Sequence, residues 1–254
     1  EALPLGGYTV QEKNAPAAYV VDERIHEVTL AYKDQNTPVV SMTVKADNEL
    51  RTGGVKIRKI TEKFNYENID FYNALAEGYV FGLYTAETIG DVPADVLVEV
   101  LTTDSQGVAE SKAKLPYGNY YLKELFVPDE TVHLLKGNLP LTISSELNVQ
   151  HYDSPIYNTM FKTRIGVYKL DEADTERTLA GAVFEVRDAS GKLFDTITTN
   201  KDGYAETIEI PVGVYKVKEI QPPAGFILYD EVKTVTLTTE DKETAVFELN
   251  EQIG

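Results

Sequence analysis

Hydrophobic and polar residues alternate in short runs along the whole chain, which is the pattern of β-strands with one buried face. The clearest runs begin at Tyr8, Tyr120 and Tyr215. Glycine and proline separate the runs at intervals that suit turns, and no long helical period occurs. The pattern predicts an all-β protein built of β-sandwiches. For residues 65–77 a short helix is an open alternative.

One motif, Pro-x-Gly-x-Tyr-x-x-x-Glu-x-x-x-Pro, occurs three times, beginning at Pro4, Pro116 and Pro211. Its first Pro and Gly favour a turn, a strand follows, and the last Pro ends that strand. Because three copies stand in one chain, the motif predicts a tandem array of one domain type. In each copy a glutamate shares the strand face of the tyrosine and an apolar neighbour. These glutamates are Glu12, Glu124 and Glu219.

Two strands offer a lysine as a partner for such a glutamate, since a buried carboxyl is costly unless it is paired or neutral. Lys59 and Lys169 each continue the apolar face of a strand that follows a glycine-containing linker. Each lysine also follows an asparagine, Asn48 or Asn158, by the same interval. A third asparagine, Asn250, closes the last repeat, but its large apolar neighbours lie on the other strand face. A β-bulge would restore its phase.

A lysine, a glutamate and an asparagine that meet in an apolar core form a reactive set. Burial disfavours the charged forms of the amine and the carboxyl, which leaves a nucleophile and a proton donor. The amine attacks the asparagine side-chain carbonyl, ammonia leaves, and a Lys–Asn amide remains. Positioning alone contributes roughly 7–11 kcal/mol to such a reaction. The alternative interpretation is a buried Lys–Glu salt bridge with the asparagine as a neighbour, but the shared order, phase and spacing favour the reactive set.

Several segments of the chain are similar, in order, to collagen-adhesin B-type (Cna B) domains. These domains are also called SpaA-like or prealbumin-like, and they occur in Gram-positive surface adhesins and pilins. The resemblance covers 161–254 most closely and 53–160 less closely. The matching segments are 166–171, 179–184, 200–203, 213–219 and 222–226, and, in the preceding repeat, 78–81, 104–107 and 118–124.

The resemblance implies tandem immunoglobulin-like (prealbumin-like) β-sandwiches, each closed by a spontaneous Lys–Asn isopeptide bond with a catalytic glutamate. The implied domains are 53–160, with an insertion near 64–77, and 161–254. Residues 1–52 look like the C-terminal part of an incomplete Cna B-like domain whose start lies outside the chain. By position, the implied sets are Lys59, Glu124 and Asn158; Lys169, Glu219 and Asn250; and, without a lysine, Glu12 and Asn48.

Composition narrows the function further. The formal net charge of −17 disfavours nucleic acid as a partner. The sequence contains no run of 18 apolar residues, so we expect no membrane-spanning helix. It also contains no motif or histidine spacing that predicts a cofactor or a metal. Cysteine is absent, so an extracellular domain would need another covalent closure. A bond from Lys169 to Asn250 would contribute roughly 4–5 kcal/mol by the chain-entropy argument used for disulfides.

Together these observations predict a structural stalk or pilin segment of a cell wall-anchored Gram-positive surface adhesin. Its chemistry would be single-turnover bond formation, so we do not expect a turnover enzyme. The expected partners are other pilus subunits or a host extracellular-matrix protein, and a complementary fragment for residues 1–52. The alternatives are an adhesive module that binds a host matrix protein through the 64–77 insertion, a glycan-binding module with tyrosine platforms, and a split domain at residues 1–52 that captures a partner strand covalently.

Overall fold

The computed structural model describes residues 3–37, 39–144 and 154–240, and the backbone alone of 149–151 and 245–251. Within these residues the secondary structure is entirely strands and turns, so the predicted all-β class is confirmed. Residues 65–77 contain no helix, and the helical alternative is therefore wrong.

The described strands fall into three groups along the chain. The first group is β1 (Gly6–Val10) and β2 (His26–Leu30). The second group is β3 (Thr52–Asn65), β4 (Asp70–Leu75), β5 (Val80–Thr85), β6 (Leu97–Thr102), β7 (Val108–Glu110), β8 (Leu115–Pro116), β9 (Gly118–Phe126), β10 (Leu139–Ile143), β11 (Val149–His151) and β12 (Ile156–Asn158). The third group is β13 (Lys162–Thr163), β14 (Ile165–Asp171), β15 (Asp174–Thr178), β16 (Val183–Asp188), β17 (Leu193–Thr198), β18 (Tyr204–Glu206), β19 (Ile210–Pro211), β20 (Gly213–Gln221), β21 (Val232–Leu237) and β22 (Ala245–Glu251).

The chain divides into two compact units, and the division falls within β3, between Arg58 and Lys59. Unit 1 comprises Glu1–Arg58, Glu77–Phe126 and Lys136–Pro155, and unit 2 comprises Lys59–Ala76, Val127–Leu135 and Ile156–Gly254. The domain limits given above, at residues 52 and 160, remain a prediction.

Unit 1 contains a four-stranded antiparallel sheet in the order β10-β9-β5-β6. It also contains the separate pair β1-β2, in which Tyr8 lies opposite Val28. Residues 52–58 of β3 pair with β7 and β8 in antiparallel fashion and with β11 in parallel.

Unit 2 contains an antiparallel sheet in the order β17-β16-β20-β21. Its strands correspond, in the same spatial order, to β6, β5, β9 and β10 of the unit 1 sheet. Beside it, β14 pairs in antiparallel fashion with β15 and β18 and in parallel with β22. The inward side chains of these strands form an apolar core that includes Ile165, Val167, Phe184 and Val217. The repeated strand order agrees with the repeated motif.

The insertion predicted near 64–77 forms a β-hairpin in which the end of β3 pairs with β4. Its turn is held by the Asn65 side-chain oxygen, which accepts hydrogen bonds from the backbone N–H groups of Glu67 and Asn68. Phe64 stacks on Phe194 with ring centroids 5.7 Å apart and belongs to the apolar core of unit 2. Aromatic packing therefore fixes the hairpin to the body of unit 2.

The tyrosine of the repeated motif has the same role in every copy. Its hydroxyl donates a hydrogen bond to the carbonyl oxygen of the motif's first proline, over 2.6 Å for Tyr8 and 2.8 Å for both Tyr120 and Tyr215. This bond ties the turn before the strand to the strand itself. The Pro-x-Gly-x-Tyr spacing is thus a local structural device that does not depend on the rest of the domain.

Candidate functional site

Lys169 and Glu219 meet inside unit 2. Lys169 lies on β14 in phase with two core residues, and Glu219 lies on β20. The Lys169 Nζ is 3.2 Å from the Glu219 Oε1, and neither side chain has any solvent exposure. Strand alternation explains both positions, because each residue continues an apolar strand face into the core.

Neighbouring groups hold this pair in place. The backbone N–H of Tyr229 donates to the Glu219 Oε2 over 2.8 Å. The Lys169 Nζ lies 5.4 Å from the ring centroid of Tyr229 and 5.9 Å from that of Phe184, so two aromatic rings flank the amine. The rings help to keep the amine out of contact with water, since the Lys169 side chain has no solvent exposure.

Sequence reasoning did not single out Phe184 or Tyr229, although one signal for Phe184 was available. Phe184 lies opposite Glu219, and Phe81 lies opposite Glu124, each just after a register irregularity. Both phenylalanines end a Gly-x-Val-Phe segment in the sequence. No comparable sequence signal marks Tyr229, since its contact with Glu219 is made by the backbone.

A glycine also supports the lysine strand. The Lys169 N–H donates to the carbonyl oxygen of Gly203 over 2.8 Å, and Gly203 has a positive φ of 70°. A Cβ added at Gly203 would lie 2.8 Å from the Lys169 carbonyl oxygen. Gly203 ends a turn that begins at Asn200, so the turn sets the position of the lysine backbone.

Asn250 lies on β22, which runs parallel to β14. The backbone register places Asn250 opposite Leu170, one residue beyond the position that faces Lys169. Its side chain lies outside the described residues, so the predicted meeting of Lys169, Glu219 and Asn250 is described for the first two only.

Lys59 and Asn158 also meet inside unit 2. The Lys59 Nζ donates to the Asn158 Oδ1 over 2.6 Å, and to the carbonyl oxygens of Ile156 and Ile60 over 3.2 and 3.1 Å. Lys59 is fully buried, and Asn158 is 4% exposed. The strands that carry them, β3 and β12, run parallel, with Asn158 opposite Thr61.

Glu124, the predicted third member of that set, lies on β9 in unit 1. It is buried, with 2% of its surface exposed, and Phe81 lies opposite it. Its place on β9 corresponds to that of Glu219 on β20.

Glu12 and Asn48, to which the repeat assigns no lysine partner in this chain, meet in unit 1. The Asn48 Nδ2 donates to the Glu12 Oε2 over 2.6 Å and to the carbonyl oxygen of Val20 over 3.0 Å. The backbone N–H of Asp22 donates to the same glutamate oxygen over 2.7 Å. Asp22 and Tyr229 each lie ten residues beyond their glutamate, so this backbone contact repeats between the copies.

A second carboxyl group, that of Asp22, lies near Glu12 and is paired with an arginine. Asp22 is buried, and hydrogen bonds from the side chain and backbone of Arg24 lower the pKa of Asp22 well below its usual range. The Arg24 Nε lies 2.8 Å from the Asp22 Oδ1. Asp22 therefore stays ionised at neutral pH.

The remaining candidate chemistry is sparse in the described part of the chain. No group of three or more histidine or acidic side chains lies close enough there to hold a metal ion. His133 packs against Phe161, and the side chain of His151 lies outside the described residues. No membrane-spanning helix occurs among the residues that the structure describes.

Two sequence comparisons relate parts of this chain to known proteins. Residues 163–252 match the family described as SpaA, a prealbumin-like fold domain. Over 77 residues the chain is 39% identical to the trypsin-resistant surface T6 protein of Streptococcus pyogenes serotype M6, a match that covers 30% of this chain and 14% of that protein. The chain thus spans a small part of this curated relative.

The fold also resembles a solved structure, that of the Bacillus anthracis TIE protein. The TM-score is 0.63 with 24% sequence identity, over 98% of this chain and 42% of that chain. This likeness shows that nearly the whole chain has a fold similar to part of a solved protein. The family match shows that residues 163–252 form a SpaA-type prealbumin-like domain, and a segment of 77 residues in this chain is homologous to part of a streptococcal surface protein.

Proposed function

We propose that this chain is a structural stalk or pilin segment of a Gram-positive surface protein, and that its domains are closed by autocatalytic Lys–Asn isopeptide bonds. The observation that carries the proposal is the buried contact of 2.6 Å between the Lys59 Nζ and the Asn158 Oδ1. An amine held beside an amide in a dry core is positioned to react with it. Anchoring to the cell wall and assembly with other subunits belong to the same proposal.

In the proposed reaction the lysine Nζ attacks the side-chain carbon of asparagine. The bond from that carbon to the Nδ2 breaks, and one proton passes from the Nζ to the departing nitrogen, which leaves as ammonia. A buried glutamate would carry this proton and polarise the carbonyl. The contact of 3.2 Å between Lys169 and Glu219 supports this role for the glutamate. The bond forms once in each domain, so the protein does not turn over a substrate.

The position of the proposed bonds suits a load-bearing segment. Each bond would join a lysine strand to the parallel strand that carries the asparagine, β3 to β12 and β14 to β22. A force that pulls these strands apart would then load a covalent bond rather than a row of hydrogen bonds. The relative from Streptococcus pyogenes is described as trypsin-resistant, and covalently closed β-domains would share that property because they seldom open to a protease.

The adhesive alternative receives less support. It assigns host binding to the 64–77 insertion, but Phe64 and Phe71 of that hairpin pack against each other and against the unit 2 core. This packing gives the hairpin a structural role, so we rank adhesion below the stalk or pilin function.

Intact-mass measurement on the denatured chain tests the proposal. We expect a mass below that of the sequence by one ammonia for each of the two bonds. Glu124→Ala and Glu219→Ala should each restore one ammonia, and Glu12→Ala is the matched control because its region has no lysine set. A chain whose mass equals the sequence mass would contradict the proposal, and digestion should otherwise yield branched peptides that contain Lys59 and Lys169.

A further inference from the structure

Two pairs of tyrosines lie side by side on neighbouring antiparallel strands. On β5 and β9 the register places Tyr84 opposite Tyr121, with ring centroids 5.1 Å apart and planes 7° from parallel. On β14 and β18 it places Tyr168 opposite Tyr204, with centroids 4.8 Å apart and planes at 43°. Each pair lies within one compact unit, and its geometry is set by the pairing of two adjacent strands.

One tyrosine of each pair donates a hydrogen bond to a carboxylate. The Tyr121 hydroxyl lies 3.2 Å from the Asp95 Oδ1, and the Tyr204 hydroxyl lies 3.0 Å from the Glu206 Oε2. Burial, together with the hydrogen bond to the carboxylate, raises the pKa of both phenols above their usual value. Each phenol is therefore protonated at neutral pH, and an acceptor for its proton is already in place.

Both pairs are accessible to small oxidants. Tyr168 is 38% exposed, and the other three tyrosines are partly exposed. The chain has 16 tyrosines but no cysteine and no tryptophan. These three residue types give up one electron most readily, so a one-electron oxidant that attacks this chain acts first on tyrosine.

We propose that the pairs Tyr84–Tyr121 and Tyr168–Tyr204 are sites of oxidative cross-linking, at which a peroxidase-type one-electron oxidant joins the two rings of each pair through a carbon–carbon bond. A peroxidase supplied with hydrogen peroxide is an oxidant of this class. The new bonds tie β5 to β9 and β14 to β18. They use no lysine or asparagine, so this modification does not depend on the isopeptide bonds proposed above.

The atoms and electrons of this step balance. Each phenol loses one electron to the oxidant and one proton, and Asp95 or Glu206 accepts the proton of the ring that is bound to it. The two phenoxyl radicals join through the ring carbons next to their oxygens. The hydrogens on those carbons then move to the oxygens, which restores both aromatic rings. One hydrogen peroxide takes up the two electrons and two protons and becomes two water molecules.

Strand pairing favours coupling within a pair over coupling between molecules. A tyrosyl radical must meet a second one, and a ring held 5.1 Å away is at a far higher effective concentration than a ring on another chain. An exposed tyrosine outside the pairs, such as Tyr72 at 45% exposure, depends on such encounters. In dilute solution we therefore expect cross-links within the chain.

The test treats the dilute full chain with a peroxidase and hydrogen peroxide. Denaturing mass spectrometry of the monomer and of its digest identifies the products. We expect the loss of two hydrogen atoms for each pair, dityrosine fluorescence, and peptides that join Tyr84 to Tyr121 and Tyr168 to Tyr204. The chain unfolded in urea should lose the preference for these two cross-links, because the fold creates the pairs.

Phenylalanine variants assign each cross-link, since they keep the ring and remove the hydroxyl. Tyr121→Phe and Tyr204→Phe should each abolish one cross-link and leave the other at its wild-type yield. Tyr72→Phe is the matched control and should leave both cross-links unchanged.

Asp95→Asn tests the proton acceptor. Asp95 has a positive φ of 62°, which asparagine also tolerates, so the substitution suits the backbone. The amide still accepts a hydrogen bond from Tyr121 but does not take up its proton, so the Tyr84–Tyr121 cross-link should form at least about tenfold more slowly. The Tyr168–Tyr204 cross-link in the same sample is the internal control. An unchanged rate would overturn the role of the carboxylate.

A folded monomer that forms no tyrosine cross-link, or joins other tyrosines instead, would overturn the proposal. Equal yields of the two cross-links from the folded and the unfolded chain would do the same. Loss of ammonia and loss of hydrogen differ in mass, so the same spectra report separately on the isopeptide bonds. The two proposals can therefore fail independently.

Discussion

Two regions of this protein carry the same motif but differ in burial. In residues 3–50 the motif strand β1 has one neighbour among the described strands, and Val10 is 46% exposed. In residues 163–237 the motif strand β20 has two neighbours, and Val217 is 3% exposed. In both regions the tyrosine donates to its proline carbonyl, and the glutamate accepts the backbone N–H ten residues further on.

The comparison separates local structure from domain structure. Turn geometry and the backbone contact of the glutamate are present in both regions, so neither requires a closed core. Burial of the strand face requires further strands, and so does the lysine contact. Glu219 lies 3.2 Å from Lys169, whereas Glu12 contacts Asn48. The mutations below alter one region and use the other as its control.

The largest difference in stability between the two regions is expected when the Lys169–Glu219 contact and the Glu12–Asn48 contact are removed in turn. Lys169→Ala should lower the stability of the 163–251 region by about 4–5 kcal/mol, because it removes the proposed closure of the chain. Asn48→Ala should cost about 1 kcal/mol, because it removes hydrogen bonds from a half-buried side chain. Hydrogen exchange in β14 and β20 and in β1 measures the two effects region by region.

Lys201→Ala controls for the loss of a lysine as such, since Lys201 is exposed and should have almost no effect. Equal losses from Lys169→Ala and Asn48→Ala would mean that the two regions are closed to the same degree, which contradicts the comparison.

The next largest difference in stability is expected for the apolar residue that follows the motif tyrosine by two positions. Val217→Ala should destabilise its region by about 2 kcal/mol, because it removes buried methyl groups and leaves a cavity. Val10→Ala should change stability by less than about 0.5 kcal/mol, since nearly half of this residue remains exposed to water. Protection of the amides of β20 and β1 in hydrogen exchange gives the two values. If both variants lost the same protection, Val10 would be as buried in solution as Val217, which contradicts the comparison.

The smallest difference concerns the motif tyrosines and appears at alkaline pH. Burial raises the pKa of Tyr120 from 10.0 to about 12. Because the folded-state value lies above the unfolded one, the stability that this group contributes is complete below pH 10 and is lost as the pH rises towards 12. Tyr120→Phe should remove this loss and also cost about 1 kcal/mol at neutral pH, since one hydrogen bond disappears.

Tyr8→Phe is the matched change in the open region, where the tyrosine is only half-buried. Its cost at neutral pH should be smaller than that of Tyr120→Phe. Urea titrations at pH 8 and pH 11 compare the variants, and an alkaline loss that persists in Tyr120→Phe would assign it to another group.

The sequence by itself determined the all-β class, the repeated motif and the phase of the buried lysines. Strand alternation is a local property, so it placed Lys59 and Lys169 on apolar faces, and both are fully buried. Position in the repeat, rather than alternation, related Glu12 to Asn48, and their side chains meet. The limits of the domains and the isopeptide bonds remain predictions.

Only the tertiary structure decided how these elements are used. The 64–77 insertion is a hairpin that packs in the unit 2 core, because Phe64 stacks on Phe194, a residue far along the chain. Tyr229 holds Glu219 through a backbone N–H that any residue except proline possesses, so its identity gives no signal. The apolar residues between positions 3 and 44 have the pattern of any strand face, but in the described structure they line an open groove. Alternation fixes which residues share a face, but burial depends on what packs against that face.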